Sequence, residues 1–136
     1  MSLGIGGYAD LAATDDKLVI YEYGAFNWDI PECINKKHVK DGILTIERDC
    51  FLEPKIHSKI KKMPSKRKRL ITKRVPIDVD YETMIDEGKI KIENCSSAWQ
   101  YTEKKHIDIM ALQLLRKLLY QYQIDGKVPE NISIFK

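Results

Sequence analysis

The stretch EKKHIDIMALQLLRKLLYQYQ, residues 103–123, decides the fold of this chain more than any other. Its apolar residues recur at intervals of three and four, which is typical of one face of an α-helix about six turns long. Thr102 is a candidate N-cap, while Asp125-Gly126 followed by Pro129 predicts the C-terminal end. A face this long has to be buried, and an antiparallel sheet buries it most economically. The apolar face consists of Ile107, Met110, Ala111, Leu114, Leu115, Leu118, Leu119 and Tyr122.

Runs of β-branched and aromatic residues on both sides of this helix predict the sheet. Strands are predicted over residues 8–14, 17–23, 43–48, 70–75 and 89–93, and an edge strand over 131–135. Asp15-Asp16 predicts a tight turn between the first two, and a short helix is predicted over 80–87, with Asp80 as N-cap and Gly88 as its end. The predicted fold class is therefore α+β: an antiparallel sheet of four to six strands with one long C-terminal helix packed across it.

Length and composition favour one folded domain over residues 1–136, because the chain has a mass of 15.8 kDa, with 43% hydrophobic and 32% charged residues. We expect residues 1–7, with their three glycines, to form a flexible N-terminus. No run of residues has the length of a membrane helix, and no basic-then-apolar leader opens the chain. Cys33, Cys50 and Cys95 are widely spaced without a Cys-x-x-Cys pair, which predicts buried, reduced thiols. These features predict a soluble, cytoplasmic domain without membrane contact.

Charge is distributed unevenly along the chain. Residues 54–74 carry ten basic and no acidic side chains, whereas the whole chain has a net charge of only +3, so the remainder is net negative. Met63-Pro64-Ser65 interrupts the run, which favours a basic loop or hairpin arm over residues 54–69, with its loop at Pro64 to Arg67. The ten basic residues are Lys55, Lys59, Lys61, Lys62, Lys66, Arg67, Lys68, Arg69, Lys73 and Arg74.

A dense cationic segment favours an anionic partner, because contacts with phosphates release condensed counterions. The leading hypothesis is a non-catalytic binding module with nucleic acid as the favoured partner. The alternatives are that the segment binds an acidic protein, or that it is a solvated loop without a binding role. Phe, Tyr and Trp are absent from residues 54–74, so contacts with the backbone are expected rather than base stacking, with the arginines as the best-oriented phosphate ligands. The candidate nucleic-acid-binding residues are Lys59, Lys61, Lys62, Lys66, Arg67, Lys68, Arg69, Lys73 and Arg74.

Two other functions are open at this stage. Phe26 and Trp28 lie in a predicted loop over residues 24–35, where they either cover an edge of the core or, with surplus apolar surface on the long helix, bind a protein partner. A small metal-dependent nuclease would use carboxylates near a lysine, as in Glu53-Pro54-Lys55 and Glu87-Gly88-Lys89. The central Pro and Gly disfavour strands there, and we assign no catalytic residue, metal ligand or cofactor.

Overall fold

The structure is a computed structural model that describes residues 4–62 and 68–136. Within these residues the chain forms seven strands and two α-helices. The strands are β1 (Ile5–Thr14), β2 (Leu18–Asn27), β3 (Gly42–Glu47), β4 (Lys55–Lys62), β5 (Lys68–Val75), β6 (Ile90–Glu93) and β7 (Asn131–Phe135). The helices are α1 (Tyr81–Asp86) and α2 (Ile109–Asp125).

Five strands form one antiparallel sheet in the order β6-β3-β2-β1-β7, while β4 and β5 form a separate two-stranded sheet. Helix α2 packs across one face of the larger sheet, and its residues Leu114, Leu115 and Leu118 are fully buried there. The predicted α+β class is thus confirmed, together with the hairpin of β1 and β2 and the edge strand β7. Apolar strand residues such as Ala9, Tyr21 and Leu44 complete this core.

The prediction that residues 24–35 form a loop is wrong for their first part, because β2 continues to Asn27. Gly24 pairs with Tyr8 in the register, and a Cβ on Gly24 would lie 2.9 Å from the Tyr8 ring. The same Cβ would lie 2.2 Å from the Val39 carbonyl oxygen, so Gly24 makes room for that backbone and for the Tyr8 ring instead of forming a turn. Gly6, assigned to a flexible N-terminus, lies inside β1, where an added Cβ would lie 2.2 Å from the Ile134 carbonyl oxygen and 2.8 Å from the Phe26 ring.

The predicted start of the long helix is also wrong. Helix α2 begins at Ile109, and its N-cap is Asp108, whose Oδ1 accepts a hydrogen bond from Met110 N at 3.0 Å. The predicted cap, Thr102, instead closes a turn, because its Oγ1 accepts from Ile107 N at 3.1 Å. His106 adopts a left-handed φ of 53° in that turn, so Ile107 and His106 precede the helix. The C-terminal end is as predicted: Gly126 has a φ of 75°.

Asp108 also joins the start of α2 to the sheet. Its Oδ2 accepts a hydrogen bond from the Tyr23 hydroxyl at 2.9 Å, and that hydroxyl accepts one from Cys95 N at 2.9 Å. All three residues are buried. Burial raises the pKa of the Asp108 carboxyl above its usual range, since a charge is costly away from water. These contacts fix the N-terminus of the helix over β2.

Other local predictions concern α1 and the cysteines. Asp80 caps α1, because its side chain accepts from Thr83 N at 3.1 Å, and Gly88 follows the helix with a φ of 80°. The three cysteines are free and buried, as the sequence predicts. None of the described helices has the length and apolar character needed to span a bilayer.

Candidate functional site

The basic segment forms a two-stranded ribbon, which we call the arm: β4 and β5 with their eight paired positions. The pairing runs from Lys55 opposite Val75 to Lys62 opposite Lys68. Eight residues in extended conformation give the arm a length of about 25 Å. The predicted loop at Pro64 to Arg67, which includes the candidate residues Lys66 and Arg67, lies outside the described residues.

The register gives the arm two different faces, because residues at alternate positions and their direct partners point to the same side. One face carries Lys55, His57 and Lys59 from β4, with Lys73 opposite His57. We call it the cationic face. Each of these four side chains is exposed, and Ile71, opposite Lys59 on the same face, is 40% exposed.

The other face of the arm is partly apolar. Ile56, Ile60 and Leu70 lie there with exposed fractions of 61%, 66% and 62%. Ile60 pairs directly with Leu70, so the two side chains cover one another in part. Lys62 and Lys68 follow on this face towards the tip, where two like charges lie directly opposite each other.

Arg74 anchors the arm to the body of the protein. Its Nε donates a hydrogen bond to the Gln123 carbonyl at 2.8 Å, near the C-terminal end of α2. Its guanidinium also lies 3.7 Å from a Glu53 carboxylate oxygen. The same carboxylate accepts a hydrogen bond from the Tyr122 hydroxyl at 2.9 Å, and this bond raises the pKa of Tyr122. Arg74 therefore belongs to the base of the arm, on the face opposite to that of Lys59 and Lys73.

The lysines of the arm whose side chains the structure describes form no ion pair. Among the described residues, the ion pair of Arg74 with Glu53 is the only one that involves the arm. Lys61 lies opposite Arg69 in the register, and Lys62 lies opposite Lys68. Directly opposed like charges destabilise a strand pair, so the hairpin retains charge at the expense of its own stability.

The two aromatic residues of the alternative protein-binding site occupy different environments. Phe26 lies in β2 and is only 6% exposed, whereas Trp28, just after β2, is 61% exposed. Their rings stack at a centroid distance of 5.8 Å. The structure adds Tyr8 and Phe135 to this group, which sequence reasoning missed because the strand order, and not sequence distance, brings them together.

The carboxylates considered for a nuclease do not assemble into a metal site within the described ranges. Glu53 is engaged with Tyr122 and Arg74, while Glu87 forms an ion pair with Lys89 at 3.5 Å. Across residues 4–62 and 68–136, no group of three His, Cys, Asp or Glu side chains could hold a metal ion.

An open groove of about 790 Å³ lies along α2, between Val79 and Tyr81 on one side and Ile134 on the other. Arg116 and Lys117 line it from the helix, and Lys117 Nζ donates to the Ser133 carbonyl of the edge strand β7 at 2.5 Å. Its lining is a mixture of apolar, cationic and acidic groups, which matches no single class of ligand.

Comparison of the chain with known protein families, with curated proteins and with solved structures finds no match. We therefore infer the function from the chain's own residues.

Proposed function

We propose that the protein is a nucleic-acid-binding module in which the arm contacts the phosphate backbone. The observation that carries the proposal is the cationic face: Lys55, His57, Lys59 and Lys73 are exposed on one side of the ribbon, and none of them forms an ion pair within residues 4–62 and 68–136. Lysines repeated along an extended scaffold can neutralise several phosphates, and release of the counterions condensed on those phosphates provides the binding free energy.

The shape of the arm supports the same partner. A two-stranded β-ribbon is narrow enough to enter the major groove of duplex DNA. Lysine acts at phosphates as a point charge, so such contacts position the ribbon without reading base sequence. We therefore expect binding with strong salt dependence and little sequence preference.

Fluorescence anisotropy of labelled duplex DNA, measured over a range of salt concentrations, tests this proposal. The test variant carries Lys59→Ala and Lys73→Ala on the cationic face. The control variant carries Lys91→Ala and Lys104→Ala, two exposed lysines outside the arm with the same loss of charge.

We expect wild type and control to bind alike. The arm variant should bind more weakly, and its plot of log K against log salt should be less steep by about two, one for each phosphate contact. Equal losses in both variants would mean that only net charge matters, and absence of binding at low salt would exclude the proposal.

A further inference from the structure

The face of the five-stranded sheet opposite α2 carries a cluster of aromatic rings at one end. The rings stand around a cleft of about 280 Å³. Two of them are strongly exposed, Trp28 at 61% and Phe135 at 71%. Its lining includes Tyr8, Phe26, Trp28, Phe135, Lys36 and His38.

Glycines in the sheet allow these rings to lie across the strands. Gly6 pairs with Phe26 on one side and with Phe135 on the other, so the three residues form one row. Because Gly6 has no side chain, the two phenylalanine rings approach each other over it, with centroids 5.8 Å apart. Trp28 also stacks on Phe26, with a centroid distance of 5.8 Å and an interplanar angle of 26°. Phe26, itself buried, thus contacts the two exposed rings, Trp28 and Phe135.

The loop that follows Trp28 forms the opposite wall of the cleft. Asn35 holds this loop, since its Nδ2 donates to the Tyr8 hydroxyl at 2.7 Å and its Oδ1 accepts from Val39 N at 2.8 Å. Asn35 and His38 both adopt left-handed φ values, 53° and 52°. This conformation places the His38 ring 5.7 Å from the Tyr8 ring. The wall is therefore built by specific contacts, at a cost in backbone strain.

The charge of the residues around the cleft indicates which class of ligand it favours. Lys36 lines it and is exposed, and no carboxylate occurs among the described lining residues. Lys40 lies nearby, with its Nζ 5.6 Å from the Tyr8 ring centroid and paired with Asp10. Aromatic cages for quaternary ammonium ligands attract cations, which Lys36 would repel. Exposed rings beside a cation favour a ligand that combines a flat ring with a negative charge.

We propose that this aromatic cleft stacks a base of single-stranded nucleic acid, with Lys36 against the adjacent phosphate. Stacking on aromatic side chains tolerates any base, because each base has a π-face. The inference rests on the proposed function for its class of ligand, and it adds a second site with residues that the arm does not share.

Fluorescence of Trp28 gives a direct readout. In a Trp99→Phe variant Trp28 is the sole tryptophan, and a base stacked on its ring should quench its emission. The probe is an oligothymidylate of about eight nucleotides, and its control is an abasic oligonucleotide with the same length and charge. We expect quenching by the first and little by the second.

Affinity measured by anisotropy in the otherwise wild-type protein does not depend on the Trp99 variant. Trp28→Ala or Phe135→Ala should each raise the Kd for the oligothymidylate about 5- to 100-fold, the range observed for loss of one stacked base. Tyr120→Ala is the matched control, because this exposed aromatic lies on α2, outside the cleft. It should leave the Kd unchanged.

The two sites can fail independently. Unchanged affinity in both aromatic variants, or equal quenching by the abasic strand, would overturn the cleft proposal and leave duplex binding by the arm intact. Loss of duplex binding in the Lys59 and Lys73 variant with a normal stacking signal would support both. A cleft that captures an apolar peptide but no oligonucleotide would assign it to protein binding instead.

Discussion

Helix α2 and the arm use the same kinds of apolar residue in opposite ways. On α2, Leu114 and Leu118 are fully buried against the sheet, whereas Ile60 and Leu70 of the arm are more than 60% exposed. The body is thus held by burial of apolar surface, which is the main favourable term in folding. The arm has no such core, and it also places like charges opposite each other. The arm is therefore held by strand pairing and by the contacts of Arg74 at its base, and not by a core of its own.

The largest expected effect separates these two regions directly. Leu114→Ala should lower the free energy of unfolding by about 2–5 kcal/mol, because it leaves a cavity under α2. Ile60→Ala should change it by no more than about 0.5 kcal/mol, as for other exposed positions. Urea denaturation followed by circular dichroism measures both. Similar losses in the two variants would show that the arm packs against the body.

Asp108 gives the next largest effect, because one carboxylate both caps α2 and accepts the Tyr23 hydrogen bond. Asp108→Ala should cost about 2–3 kcal/mol, the sum of a lost N-cap and a buried hydroxyl without its acceptor. Asp108→Asn should retain most of the stability, since its amide oxygen can still cap the helix. Equal losses for Ala and Asn would contradict the capping role.

The difference in stability between the wild type and Asp108→Asn should also depend on pH. Because burial raises the pKa of Asp108 in the folded state, the folded protein holds this proton more tightly than the unfolded chain. Its contribution to stability is therefore complete below the unfolded pKa of about 3.9 and is lost as pH rises through the folded value. Relative to Asp108→Asn, the wild type should gain stability on acidification. A constant difference between pH 7 and pH 4 would exclude this prediction.

A smaller effect should appear where the arm joins the body. Arg74→Ala removes the hydrogen bond to the Gln123 carbonyl and the contact with Glu53, at a cost of about 1 kcal/mol. Because α2 itself stays packed, amide hydrogen exchange should accelerate in β4 and β5 while the core of α2 keeps its protection. Lys73→Ala, the neighbouring residue without these contacts, serves as the control. Equal loss of protection in the arm and in α2 would show that Arg74 stabilises the whole fold and not the arm alone.

The smallest effect concerns the charge pair near the tip of the arm. Lys68→Glu places an opposite charge directly across from Lys62 and should stabilise the strand pair by about 0.2–1 kcal/mol. The same substitution should weaken binding of duplex DNA, since it removes a cation and adds an anion. Hydrogen exchange of the arm and anisotropy measure the two effects. Weaker protection in the variant would show that opposed lysines are not a source of strain.

The sequence predicts the parts of the fold that depend on local patterns. The leucine spacing of α2, the Asp15-Asp16 turn and the Asp80 cap are visible within a few residues. The start of α2 is not visible in this way. Asp108 is held at the cap position by hydrogen bonds with Tyr23 and Asn94, which lie outside the local sequence pattern. The aromatic cleft cannot be predicted from the sequence for the same reason, because Phe135 and Tyr8 come together only when β7 pairs with β1. The density of basic residues in the sequence is enough to locate the arm, but assigning its residues to two faces requires the strand register.

The three buried thiols make the opening of the fold measurable by their rate of alkylation. Burial raises the pKa of Cys33, Cys50 and Cys95, and none is exposed, so thiol reagents can react with them only when the fold opens. A cysteine introduced at exposed Ser58 would react at once, which makes the arm selectively addressable by a spin label or a fluorophore. The slow alkylation of the native thiols would then report, in the same sample, how often the core opens while the arm is free or bound.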